Sequence, residues 1–385
     1  MPQRVFGERE LDLVKQVLDT GMLSGLGGGQ MTPRFEREFA TAVGAQYGVA
    51  MNAAMSVLHS AVKVSGAGAG DEVICDPIVV FGAVATMYNN AIPVFVDVDP
   101  ATHCMNPDLI EAKITERTKA LIVTHLWGLP AQIDRIVEIA RRHNVFVIED
   151  CAHSLFASYK GKQTGTWGDV GSFSFQMSKQ LGLGDGGMAV TNSEQVRDDL
   201  ALNAGAPTFQ AVAHALHWNY RMTETTAAIG VAQLERAAGY IAGLQAVAKM
   251  YNDAVAGCDW IAVPKPGPEA THTYHLWAAT FRGDEKGITL GDFNDALARF
   301  ECGVSVGYTG MAAYKHPLIA ERLGYGKVCP LGCPLYDGAN NLYPDGLCPV
   351  AEDLVPRILL AYTFGDEEAH KQSADRLHQA VQSLS

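Results

Sequence analysis

Between residues 145 and 192 the chain reads VFVIEDCAHSLFASYKGKQTGTWGDVGSFSFQMSKQLGLGDGGMAVTN, and this stretch concentrates the side chains best suited to chemistry. Asp150 closes an apolar run, and Lys179 ends the segment SFSFQMSK just ahead of the turn GDGG at 184–187. A lysine amine adds to carbonyls and a carboxylate holds a neighbouring proton, so the two together suit covalent acid–base chemistry. Taken singly, each also fits a surface lysine and a helix-capping aspartate. Two glycine clusters, GAGAG at 66–70 and GLGDGG at 182–187, invite a dinucleotide reading. Both follow the wrong order of elements, because a phosphate fingerprint runs from a strand into a helix N-terminus. They read as turns needing positive φ. Cys329, Cys333 and Cys348 with His316 lack the spacing of paired zinc knuckles and read as ordinary thiols, so no metal site is expected. Asp97 and Asp99 read as turn caps.

The elements that must position Asp150 and Lys179 are legible from periodicity. Leu11, Val14 and Leu18 predict an amphipathic helix stopping at Gly21, followed by the glycine-rich loop GLGGGQ at 25–30 and a helix ending at Gly44. YGVAMN, EVICD, IPVFVDVD, ALIVTHLWG, VFVIED, VGSFSF and GMAVTN predict seven short strands, mostly continuous apolar runs of the kind that parallel strands covered on both faces require. The implied fold is α/β: a seven-stranded, mostly parallel sheet sandwiched by helices, with a smaller α+β C-terminal domain. Residues 1–245 are assigned to the large domain and 246–385 to the small one, with the N-terminal helix packing on the small domain. A long helical run over 227–255 links them. HTYHLWAATF is expected as a small-domain strand, GDFNDALARF as a helix and 324–350 as loop. Ligands of such sheets bind beyond the carboxyl ends of the strands, which is where Asp150 falls.

Bulk properties narrow the partners. The chain has 385 residues, enough for a sizeable core, and a net charge of -13, which repels phosphate backbones and anionic lipid. Nucleic acid and membrane are not expected. Eight cysteines without a CxxC pair point to reduced thiols and a cytoplasmic enzyme, and the polar N-terminus shows no targeting pattern.

The 145–192 stretch resembles the DegT/DnrJ/StrS family of sugar aminotransferases, pyridoxal phosphate enzymes of the aspartate aminotransferase fold, and the likeness extends over most of the chain. The resemblance implies pyridoxal 5'-phosphate bound to Lys179 as a Schiff base, with Asp150 against the pyridine nitrogen. The helix start at Ala54, Met55 and Ser56 would supply backbone donors to the phosphate, in place of the family's usual Gly-Thr-(Ser/Ala). Ser174 would add a hydroxyl, Phe81 a stacking ring and His153 a partner for the ring hydroxyl. Asn219 matches an asparagine that reaches the neighbouring subunit's phosphate, which implies a homodimer with shared sites. Gly28 in the glycine loop, Trp127 and Tyr308 are pocket candidates by family position.

The activity so implied moves an amino group from glutamate or glutamine to a keto-sugar or keto-cyclitol, in amino-sugar, aminocyclitol or antibiotic biosynthesis. Gln176 resembles the branch acting on cyclitols, and also the branch making aminohydroxybenzoate. Alternatives on the same scaffold are an aminohydroxybenzoate-synthase-like enzyme, a dehydratase, against which Lys179 argues because such relatives carry histidine there, and a non-catalytic regulatory homologue that keeps the vitamin.

Overall fold

The computed structural model describes residues 5–205, 216–321, 323–325, 329–332, 334–335 and 343–384. Helices α1 (Glu8–Thr20) and α2 (Met31–Val43) each end at a glycine in the left-handed region, Gly21 and Gly44, as the sequence predicts. Then strands and helices alternate: β1 (Tyr47–Met51), α3 (Ala54–Val64), β2 (Glu72–Cys75), α4 (Val80–Tyr88), β3 (Ile92–Phe95), β4 (Thr118–Thr124), α5 (Ile133–Arg142) and β5 (Phe146–Asp150). After the short β6 (Ser158–Tyr159) and β7 (Lys162–Gln163) come β8 (Val170–Ser174), β9 (Gly187–Thr191), α6 (Glu194–Gly205), α7 (Glu224–Leu234) and α8 (Ala237–Ala254). The seven-stranded sheet has the order β1-β9-β8-β5-β4-β2-β3, and only β9 runs antiparallel to its neighbours.

Alternation along the strands sorts residues onto two faces. Val49, Met51 and Ala189 join Val57, Leu58 and Ala61 of α3 in one core cluster. Ala50, Phe173, Met188 and Val190 face the other way, onto Phe35 and Phe39 of α2 and Val231 of α7. With both faces covered, the polar groups are forced to the strand ends.

Three sequence expectations need correction. The N-terminal helix packs on α7, not on the small domain: Leu13 and Val17 are buried in the α2–α7 cluster, and Arg9 pairs with Glu235 at 2.6 Å. The helical run over 227–255 is two helices, because Glu235 and Arg236 leave the axis to bind the N-terminal segment, Arg236 donating to Val5 O (2.9 Å) and to Glu10. The expected split at 245 falls inside α8, and later segments return to the large core.

Beyond α8, β10 (Ile261–Ala262), β12 (Leu276–Phe281), β13 (Ser305–Val306) and β14 (Ile358–Tyr362) form an antiparallel sheet, while β11 (Ala270–Thr271) pairs with β6. Helices α9 (Leu290–Arg299) and α12 (Glu367–Gln382) cover one face with α8, enclosing Tyr251, Trp277, Phe281, Phe293 and Leu359. The opposite face carries Leu276, Ala278, Ile358 and Leu360, which belong to the core of the large sheet. Described residues between β13 and β14, among them Tyr314, Ile319 of α10 (Pro317–Ala320) and Leu354 of α11 (Pro349–Leu354), also lie on that core. Ala313 N–H donates to Pro77 O (2.7 Å), and Asp97, expected as a turn cap, accepts Val98 N–H (2.9 Å) and also Val350 and Ala351 N–H at the start of α11.

Candidate active site

Four adjacent strands, β2, β4, β5 and β8, bring their carboxyl ends to one rim of the sheet: Asp76 follows β2, Thr124 ends β4, Asp150 ends β5 and Ser174 ends β8. Above this rim opens a cavity of about 350 Å³ lined by Ala54, Met55, Phe81, Asp150, Ser174 and Lys179 among others. Six of the residues singled out in the sequence therefore meet in one place. Gln176, Ser178 and Asp185 join them in the lining.

Asp150 is 3% exposed and accepts Ala152 N–H at 3.0 Å. Burial pushes its carboxyl up to about 6, with Ala152 N–H and Lys179 opposing and Asp76 reinforcing. Lys179 is held by its backbone N–H to Gln176 O (2.8 Å), and burial lowers its amine to about 8 against the pull of Asp150. An amine and a carboxyl whose charges are both disfavoured are poised to exchange protons near neutral pH.

The phosphate end is built by α3. Ala54 and Met55 stand in its first turn, where amides have no partner within the helix. Ser56 departs from expectation, since its N–H goes to Ala53 O (3.1 Å) and its hydroxyl to Asn52 Oδ1 (2.6 Å). The GDGG turn serves this cradle sterically: a Cβ at Gly187 would stand 2.6 Å from Ala53 C and Ala54 N. Phe81, in the first turn of α4, lines the cavity and is 51% exposed.

His153 is buried between Trp127 and His275, with ring centroids at 6.2 and 4.3 Å. Burial, then the charges of Lys179 and His275, holds it well below the usual histidine range, and its Nδ1 has no hydrogen-bond partner among the described residues. Trp127 is fully buried and donates from Nε1 to His103 Nδ1 (3.1 Å), so it backs His153 and does not line the cavity. Tyr308 packs edge-on against Trp127, and burial pushes its hydroxyl up to about 12, reinforced by Asp76 and Asp150. Gly28 lines a separate cavity of about 200 Å³ with Gln16, Thr20 and Glu224. Asn219 is exposed and lies outside the lining, at an isolated bridge to Gly205.

Sequence reading passed over Asp76 and Glu149. Glu149 accepts N–H groups from Gly165, Trp167 and Gly168 at 2.7 to 2.8 Å and pairs with His125 Nε2 at 2.9 Å, holding the loop between β7 and β8. His125 Nδ1 accepts Ala131 N–H, so Nε2 carries the proton. With Cys151 these two form a buried ligand-type cluster, yet their hydrogen bonds are already committed to protein groups. Cys348 is buried and Cys329 exposed, while Cys333 lies outside the described residues.

The cavity suits a phosphorylated aromatic aldehyde: helix amides and a hydroxyl for the phosphate, a carboxyl for a ring nitrogen, an exposed phenyl ring and an amine. Comparison with known proteins agrees. The model of the DegT/DnrJ/EryC1/StrS aminotransferase family matches residues 5–341. GDP-perosamine synthase of Escherichia coli O157:H7 is 37% identical over 286 residues, 72% of this chain and 76% of that protein. A Streptoalloteichus tenebrarius protein named for L-glutamine:3-amino-2,3-dideoxy-scyllo-inosose aminotransferase activity is 39% identical over 240 residues, 60% of this chain and 57% of its own. The structure of an aminotransferase from Psychrobacter cryohalolentis superimposes with a TM-score of 0.84 at 28% identity, covering 100% of this chain and 99% of that one. The chain thus belongs to the DegT/DnrJ/EryC1/StrS aminotransferase family, and it is a pyridoxal-phosphate-dependent aminotransferase.

Proposed function

We propose that this enzyme transfers an amino group from glutamate or glutamine to a keto-sugar or keto-cyclitol, as a cytoplasmic homodimer with shared sites, in the biosynthesis of amino sugars, aminocyclitols or antibiotics. The observation carrying the reading is the meeting of Lys179, Asp150 and Phe81 with the start of α3 in one cavity. Relatives named for a perosamine synthase and a scyllo-inosose aminotransferase support both acceptor classes. No helix among the described residues is long and apolar enough to cross a membrane.

Pyridoxal phosphate, when bound, supplies a carbonyl at which amines exchange and a ring that draws in the electrons left by a departing Cα proton. The amides of Ala54 and Met55, the hydroxyl of Ser174 and Asn219 of the partner subunit would hold the phosphate. Asp150 would hold the ring nitrogen, Phe81 would supply a stacking ring and His153 a partner for the ring hydroxyl. Lys179 Nζ would be the amine that tethers the cofactor, and once free it would take and return the substrate proton. Its lowered affinity leaves a useful fraction neutral near pH 8. Gln176 Oε1 accepts from both the N–H (2.7 Å) and hydroxyl (2.6 Å) of Ser178, which turns its amide NH2 outward as a donor for a polyol oxygen.

Purified enzyme with glutamate or glutamine should aminate a member of a panel of nucleotide-linked keto-sugars and keto-cyclitols. Lys179→Ala should abolish turnover while still binding the cofactor. Unchanged turnover in that variant, or no acceptor of either class, ends the proposal.

A further inference from the structure

Asp76 is a buried carboxyl that the roles above leave unused. Its Oδ1 accepts the N–H groups of Ile78 (3.0 Å) and Val79 (2.9 Å), which lead into α4, and its Oδ2 accepts the hydroxyl of Thr124. Thr124 is the last residue of β4 and lies opposite Asp150 in the β4–β5 register. One threonine thus stands between the carboxyl that holds the launch of Phe81 and the carboxyl in the cavity wall.

We propose that Asp76 is a positioning residue of the active site, fixing the start of α4 that carries Phe81 and presenting its charge to Asp150 across Thr124. The inference rests on the roles given above to Phe81 and Asp150. The turn alone needs only an acceptor, which an uncharged amide oxygen also provides; the charge has a second effect. After burial, Asp76 is the group that drives Asp150 upward, against Lys179 and His125. Burial also raises Asp76 itself, opposed by Thr124 and the two N–H groups. Among the described residues, the other titratable groups that feel Asp76 are Tyr308, Cys75, Cys104 and Cys348, all pushed upward chiefly by burial and so uncharged at neutral pH.

Asp76→Asn keeps the shape and the acceptor for Ile78 and Val79 while removing the charge. In cofactor-free full-length protein labelled at aspartate carboxyls, with Asp150→Asn for assignment, the carbon NMR titration midpoint of Asp150 should fall by about half a pH unit or more. Tm should stay near wild type. An unmoved Asp150 midpoint in a folded Asp76→Asn protein overturns the proposal. Thr124→Val keeps the charge but removes the donor to Asp76, and should weaken pyridoxal phosphate binding several-fold; wild-type affinity there overturns the anchoring role. If Lys179→Ala is inactive and the Asp150 midpoint does not move, only this inference fails, whereas an active Lys179→Ala removes the reading beneath it.

Discussion

Burial opposes the charges of Asp150 and Lys179 alike, and the two therefore weigh on folding and on turnover in opposite senses. Asp150 holds its proton more tightly in the folded chain, so its stabilising contribution is complete below the ordinary carboxylate range and is lost as pH rises through about 6. Lys179 holds its proton less tightly, so its contribution is complete above 10.5 and is lost as pH falls through about 8. Between these values the cofactor-free protein bears both charges at a cost. Asp150→Asn should therefore raise its Tm at pH 7 by about 2–4 °C while lowering turnover on the order of 10²-fold or more; calorimetry and steady-state rates check the pair, and an unchanged or lower Tm would contradict it. Both residues stood out in sequence because the 145–192 segment that carries them resembles a known family, while each taken singly fits a surface lysine or a capping aspartate. Asp76 sits in CDP, which looks like any turn, and only the register of β2, β4 and β5 gives it neighbours.

At the scale of elements, the close approach of β9 to the start of α3 is the tightest constraint on the cradle. Gly187→Ala would force Ala53 and Ala54 apart from β9, costing about 1–3 kcal/mol and weakening pyridoxal phosphate binding, as titration of the cofactor-free variant would show. The loop before β8 depends similarly on one carboxylate. Glu149→Ala strands three backbone N–H groups and His125, and should destabilise the fold by about 3–5 kcal/mol in denaturant unfolding. The seven strands were readable because each is a short apolar run between glycine or polar breaks. The interruption between α7 and α8 was not, since apolar periodicity continues across it and the cause is a tertiary pairing with Val5, Arg9 and Glu10. Trp127 was placed in the pocket by position alone, whereas burial of its ring follows from contacts with His103, His153 and Tyr308.

The whole molecule raises the question of where Asn219 acts, since it is exposed and outside the cavity lining. If the site is shared, Lys179→Ala and Asn219→Ala subunits, each impaired alone, should regain activity when mixed, because one of the two sites in the mixed dimer is intact. No gain on mixing would place Asn219 elsewhere. The four-stranded sheet has its own consequence. Leu276, Ala278, Ile358 and Leu360 sit in the large core while Trp277 and Leu359 sit in the small one, and the returning chain is fastened at Pro77 and Asp97. A swinging hinge would have to tear one continuous apolar interior, so admission of substrate falls to side chains and loops at the rim. Added viscogen should then leave kcat nearly unchanged, unlike enzymes whose cycle waits on the closure of a whole lobe.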